Sequence, residues 1–266
     1  MRIEAFIIDP QVSFCDPAVG ELYVNGAEQD MRRLAAFVRR VPQKLDAIHV
    51  TLDSHNPFDI AHPLYWKDAR GNHPDPFTII SAGDVENGVW MPVRPGLFEY
   101  SLEYVTKLEA GGRYPLCIWP PHCLIGSVGQ TVIEPLAAAL KEWAEARVGL
   151  VDFVTKGSNP LTEHYSAIRA EVPDANDPST QLNTRLIQSL MKADLIVLAG
   201  EAGSHCLANT VRDLVGEFGD DSYVKKLVLL EDCTSPVPGF EKYQDDFIAD
   251  MTARGMKLAR STDFLL

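Results

Sequence analysis

The chain has 266 residues, of which 46% are hydrophobic, 23% charged and 9% aromatic, the profile of a globular protein that buries a sizeable core. Lys+Arg 24 against Asp+Glu 37 leaves a net charge of −13, which argues against nucleic acid or anionic lipid as a partner. No apolar run reaches the roughly eighteen residues of a membrane span, and no cleavage site follows the MRIEAFIIDP start, so neither a span nor a signal peptide is expected. The five cysteines are odd in number and lack CxxC pairs, which fits a reduced, cytoplasmic chain.

In chain order, short aliphatic and β-branched runs alternate with amphipathic ones. AFIID (Ala5 to Asp9) predicts a first strand, and Glu28 to Arg40 a helix after it. DAIHVTLD (Asp46 to Asp53) predicts the second strand. Pro135 to Arg147 reads as a helix leading to a third strand, GLVDFVTK (Gly149 to Lys156). Thr180 to Met191, DLIVLAG (Asp194 to Gly200), Cys206 to Phe218, KLVLLED (Lys226 to Asp232), Lys242 to Arg254 and a short strand at Met256 to Ala259 complete the series. Such alternation implies right-handed crossovers and a doubly wound, mainly parallel six-stranded α/β sheet with helices on both faces, whose ligands bind beyond the carboxyl ends of the strands.

One stretch breaks the alternation. Residues 63–116 are rich in Pro, Gly and aromatics and carry a helical pattern at Leu97 to Lys107. They are expected to form an ordered insertion over the active rim of one domain spanning 1–266, capping the pocket or building a subunit interface that would make the chain a homo-oligomer.

Three predicted strands end on Asp9, Asp53 and Lys156, which the sheet would gather at one rim. Asp53 and His55 form a D-x-H whose carboxylate and imidazole can share a cation, with His62 and His122 as completing ligands. Cys206 follows a Gly-rich turn and opens a helix, where free amides favour a thiolate and a neighbouring oxyanion. The adjacent His205 is expected to point elsewhere. Asp9 and Lys156 are then the groups left to serve the thiol, the lysine charge lowering its pKa toward neutral pH while the carboxylate moves protons. His49, His73 and His164 are expected to be surface or packing residues.

Taken in order, IIDPQVSFCD, TLDSH, WPPHC with LIGSVG, VTKG, YSAI and GEAGSHC resemble the nicotinamidase branch of the isochorismatase-like cysteine hydrolases, from about residue 3 to residue 232. The resemblance implies a triad of Asp9, Lys156 and Cys206, a cis peptide between Glu201 and Ala202, and an oxyanion hole from the amides of Ala202 and Cys206. It also implies one divalent metal on Asp53, His55 and His122, with His62 as a further candidate ligand. Zinc is the first choice, with manganese or iron as alternatives. Phe14, Trp119 and Tyr165 correspond to the substrate-binding walls. Ser13 departs from the family's acidic residue, Gly203-Ser204 from its Thr-Asp, and the insertion is longer than a compact member carries. The implied function is hydrolysis of nicotinamide, or a related small amide, to the acid and ammonia through a Cys thioester. The alternatives are a ureide or carbamoyl hydrolase and, in another class, a catalytically silent protein that binds pyridine-type ligands.

Overall fold

Strands β1 (Ile3–Ile8), β2 (Ala47–Asp53), β3 (Val151–Lys156), β4 (Leu195–Gly200), β5 (Leu227–Leu230) and β6 (Lys257–Ala259) form one sheet in the computed structural model, which describes residues 1–266. Their spatial order is β6-β5-β4-β1-β2-β3, and every neighbouring pair is parallel. The predicted α/β class is therefore realised with a wholly parallel sheet. β1 sits in the centre and all six of its residues are buried, as expected of a strand covered on both faces.

The helices are α1 (Ala27–Arg40), α2 (Phe98–Gly111), α3 (Leu136–Arg147), α4 (Thr184–Met191), α5 (Cys206–Phe218) and α6 (Glu241–Arg254). In α1 the buried Ala27, Met31, Leu34, Ala35 and Val38 recur at helical spacing, while Glu28 and Asp30 near its start and Arg39 and Arg40 at its end suit the helix dipole. α1 packs on α3, and α4 on α5. Because the chain runs outward from β1 in one direction through β3 and returns to β4 on its other side, right-handed crossovers put these pairs on opposite faces. α4 starts at Thr184, later than predicted, because Pro178–Thr180 close a separate turn and the Asn183 side chain caps the helix by accepting the Leu186 amide.

The stretch 63–116 folds as two short antiparallel pairs, Trp66–Lys67 with Met91–Pro92 and Ile79–Ile80 with Leu116–Cys117, beside α2. Tyr65 and Trp66 are fully buried within the same hydrophobic cluster as the sheet, and the Trp66 indole donates to the Ile60 carbonyl. Phe77, by contrast, is 52% exposed. No helix is long and apolar enough to cross a membrane.

The order reverses between β1 and β4, so the carboxyl ends of these two strands open a crevice. Their approach depends on Gly200, which has φ +116; a Cβ there would lie 2.0 Å from the Ile8 carbonyl oxygen.

Candidate active site

Asp9 leaves β1 in a left-handed turn, φ 41, which aims its carboxylate into the crevice. Thr51 of β2 holds it there: the hydroxyl donates to Asp9 Oδ1 at 2.5 Å and accepts the Asp9 amide at 2.9 Å. Lys156, the last residue of the edge strand β3, reaches inward beneath β2. Its Nζ lies 2.9 Å from Asp9 Oδ2, 3.0 Å from Asp53 Oδ1 and 3.7 Å from Cys206 Sγ, and donates to the His164 carbonyl at 3.0 Å. The two carboxylate contacts are ion pairs without hydrogen-bond alignment, since both oxygens lack a well-directed donor. The predicted gathering of strand-end charges at one rim is thus what the sheet produces.

Charge balance separates these groups. Burial opposes the Lys156 charge, yet Asp53 and Asp9 outweigh it and hold the ammonium well above its usual range. Burial likewise opposes ionisation of Asp53, but His55 and Lys156 keep it well below the normal carboxylate range. At Asp9 burial prevails over Lys156 and the Thr51 hydrogen bond, so the carboxyl is raised. Two carboxylates on one ammonium are pushed apart in proton affinity.

Cys206 opens α5 and is 7% exposed. The expectation of a thiolate near neutral pH is corrected here. Burial raises the thiol well above its usual value, and the attraction of Lys156 is opposed by Asp9 and Asp53. The resting sulfur is a thiol and needs a proton acceptor. The Glu201–Ala202 peptide is cis. Neither the Ala202 nor the Cys206 amide donates a hydrogen bond within the chain, which leaves both free at the helix start. His205, expected to turn away, instead lines the pocket; burial lowers its pKa to about 3, so it stays neutral.

On the other side of Lys156, Asp53, His55 and His122 bring their ligand atoms within 4.8 Å of one another. Asp53 Oδ2 is 3.0 Å from His55 Nε2 and 3.4 Å from His122 Nε2. The far nitrogens are both engaged, His55 Nδ1 with Asp59 Oδ2 at 3.0 Å and His122 Nδ1 with the Pro120 carbonyl at 2.8 Å. Gln11 clamps the Asp53 main chain, its amide donating to the carbonyl and its oxygen accepting the N–H, each at 2.7 Å. Gly157 passes so close that a Cβ would meet Asp53 Oδ1 at 2.7 Å. His62 packs tilted against His55 and edge-on to His122, with ring centroids 5.0 and 5.4 Å away, and its buried Nε2 has no partner. Burial and its two histidine neighbours lower the His62 pKa to about 2.

A narrow cavity of about 30 Å³ joins the two sides, far smaller than an open ligand cleft. Phe14, Trp119 and Tyr165 line it together with Asp53, His122, Ala202 and Cys206. The Trp119 indole donates to the Tyr165 hydroxyl at 2.9 Å, which fixes two walls against each other. Residues 63–116 do not line the cavity; they support its walls from behind, Phe77 edge-on to Trp119 and Tyr114 against Tyr165 and His205. Ser13, the departure from the family pattern, donates to Glu21 Oε2 at 2.6 Å and accepts the Cys123 amide at 2.8 Å, so the loop carrying His122 is tied down by a pair of residues.

Sequence reasoning missed Thr51, Asp59 and Glu163. Thr51 and Asp59 each touch a predicted residue, and Asp59 stands four positions after His55. Glu163 lines the cavity, and burial raises its pKa to about 7. His49 and His164, expected to be bland, are buried; His49 bridges Glu4 and Asp152, and the His164 ring accepts the Gly157 amide.

No protein-family model matches the sequence, and no curated protein matches it. Solved structures do resemble it. The yeast nicotinamidase Pnc1p is 17% identical and superposes with a TM-score of 0.64, covering 97% of this chain and 99% of its own. PnC1 from L. infantum in complex with nicotinate is 20% identical over 98% of this chain and 93% of its own, with a TM-score of 0.60. The pyrazinamidase of Pyrococcus horikoshii in complex with zinc is 16% identical over 98% and 99%, with a TM-score of 0.58. At these identities the likeness establishes a shared fold over essentially the whole length of each chain.

Proposed function

We propose that this chain is a metal-containing cysteine amidohydrolase that converts nicotinamide, or a closely related small carboxamide, to the carboxylic acid and ammonia. One observation carries the reading: a buried thiol and an Asp–His–His cluster face one small aromatic-walled cavity, with Lys156 Nζ 2.9 Å from Asp9, 3.0 Å from Asp53 and 3.7 Å from Cys206.

In this reading Asp9, with its raised proton affinity, takes the Cys206 proton as Sγ bonds to the amide carbon. The free amides of Ala202 and Cys206 donate hydrogen bonds to the negative charge formed on the carbonyl oxygen. Asp9 returns the proton to the leaving nitrogen, the C–N bond breaks, ammonia departs and a thioester remains. Water then gives a proton to Asp9 and attacks the thioester carbon; the C–S bond breaks, and Asp9 reprotonates the sulfur. Lys156 keeps its charge throughout and offsets the negative charge passing between Asp9 and Cys206. Phe14, Trp119 and Tyr165 hold the ring.

The Asp53, His55 and His122 donors suit a divalent ion. Their converging atoms, and the engagement of both far imidazole nitrogens, direct each Nε2 to a common centre. The unpartnered Nε2 of His62 makes it a further candidate donor. Bound there, zinc, or else manganese or iron, would supply a Lewis-acid position for the ring nitrogen of a substrate.

The test is ammonia release from nicotinamide by protein purified without chelator or affinity tag, alongside elemental analysis. Turnover with about one metal equivalent is expected, and Cys206→Ala should lose at least about three orders of magnitude while staying folded. Near-normal turnover by that variant refutes the covalent route. Ammonia release from ureides but not from nicotinamide would replace the substrate assignment.

A further inference from the structure

A second cavity, of about 310 Å³, lies between the end of α2 and the segment that follows Ile168, with Lys107, Arg113, Arg169 and Glu171 in its wall. None of these residues lines the cavity that holds Cys206. Asp213 of α5, its side chain only 2% exposed, organises the cations: its Oδ1 accepts from Arg113 Nη2 and lies 3.7 Å from Arg169 Nη2. Two guanidiniums are thereby drawn to a single carboxylate oxygen. Arg113 Nη1 is a further 3.8 Å from Glu171 Oε2. Each guanidinium carries five N–H donors in a rigid fork, and these internal contacts use few of them.

Three cations meet three carboxylates, since Lys107 Nζ also pairs with Glu103 at 2.5 Å, so the cluster is close to charge balance within a chain of net charge −13. Glu171 lies 4% exposed with Oε1 unpartnered, and burial raises its pKa to about 7, so near neutral pH much of it is uncharged and able to donate. The remaining guanidinium N–H groups suit a small, negatively charged hydrogen-bond acceptor that can take several donors at once.

We propose that this second cavity is a binding site for a small oxyanion, the phosphate or carboxylate group of a metabolite, held by Arg113, Arg169 and Lys107 with Glu171 as an additional hydrogen-bond partner. Paired guanidiniums suit either group, because each offers oxygens at the spacing of the fork. The site lies behind the wall of the first cavity. Arg113 precedes Tyr114, which stacks on His205 and donates to the Ser204 carbonyl, and the Glu171 amide donates to the Glu163 carbonyl at 2.9 Å. This proposal does not depend on the amidohydrolase reading.

Isothermal titration calorimetry of the full chain, treated with chelator so that a metal cannot take the anion, tests it with inorganic phosphate and with succinate at matched ionic strength. Saturable binding of one equivalent of at least one probe is expected, and the tighter probe identifies the group. Lys107 and Arg169 are 58% and 45% exposed in their side chains, so Lys107→Gln and Arg169→Gln should fold normally, and thermal melts would check this. The double variant should bind at least about tenfold more weakly. Absence of binding by both probes, or binding undiminished in the folded double variant, overturns the proposal.

Discussion

At the end of β1, Asp9 faces a hydroxyl, an ammonium and a thiol; at the end of the neighbouring β2, Asp53 faces two imidazoles and the same ammonium. Both carboxylates are essentially inaccessible to solvent, yet one is raised in proton affinity and the other held well below the usual range. Burial is common to both, so the number of cationic neighbours decides the outcome. A carboxyl that picks up a proton easily suits proton transfer, and one that stays charged suits holding a cation. Environments that push two like groups apart are how a single pocket divides such labour.

Neutralising each side in turn would break or sharpen this contrast. Asp9→Asn should lose about two to four orders of magnitude in amide turnover, the range of a missing general acid–base, while retaining its metal by elemental analysis. Loss of metal together with activity would mean that the two sides are not separate. Asp59→Asn, on the other side, should weaken metal affinity by about 10–100-fold, measured by competition with a chelator, because Asp59 fixes His55 through Nδ1. Turnover at saturating metal should then stay within a few-fold of the parent.

Thr51→Val is a smaller perturbation, since it removes the two hydrogen bonds of one hydroxyl to Asp9 and nothing from Asp53. A fall in turnover of up to about tenfold, with unchanged metal content, is expected. The smallest effect should come from Glu171, a buried carboxyl remote from both sides. Its pKa is raised from 4.5 to about 7, so the stability it contributes is fully present below 4.5 and is lost as pH rises through about 7. Glu171→Gln should therefore flatten that decline, seen as a smaller difference between urea midpoints measured near pH 5 and near pH 7.5.

Much of the frame was legible from periodicity. The predicted strands and the helices between them appear within a few residues of their expected bounds, and α4 shifted because Asn183, not Thr180, offers the cap. Residues 63–116 were less legible. Their Pro- and Gly-rich composition marked a break in the alternation, but it could not say that Trp66 would join the sheet's core while Phe77 stayed half out, or that the segment would buttress the pocket walls without lining them.

The sequence by itself determined the order of the strands along the chain, the side chain each strand ends on and the helix that Cys206 opens, because these follow from local spacing and residue type. Only the tertiary structure decided the protonation chemistry. Whether Lys156 lowers the Cys206 thiol depends on how many carboxylates stand beside it and how little water reaches them, and both are set by strands distant in the chain. Thr51 likewise gains its place from a parallel sheet that brings its strand beside the end of β1, and Glu163 from a loop folded onto the cavity, whereas Asp59 reaches His55 from only four positions along the chain.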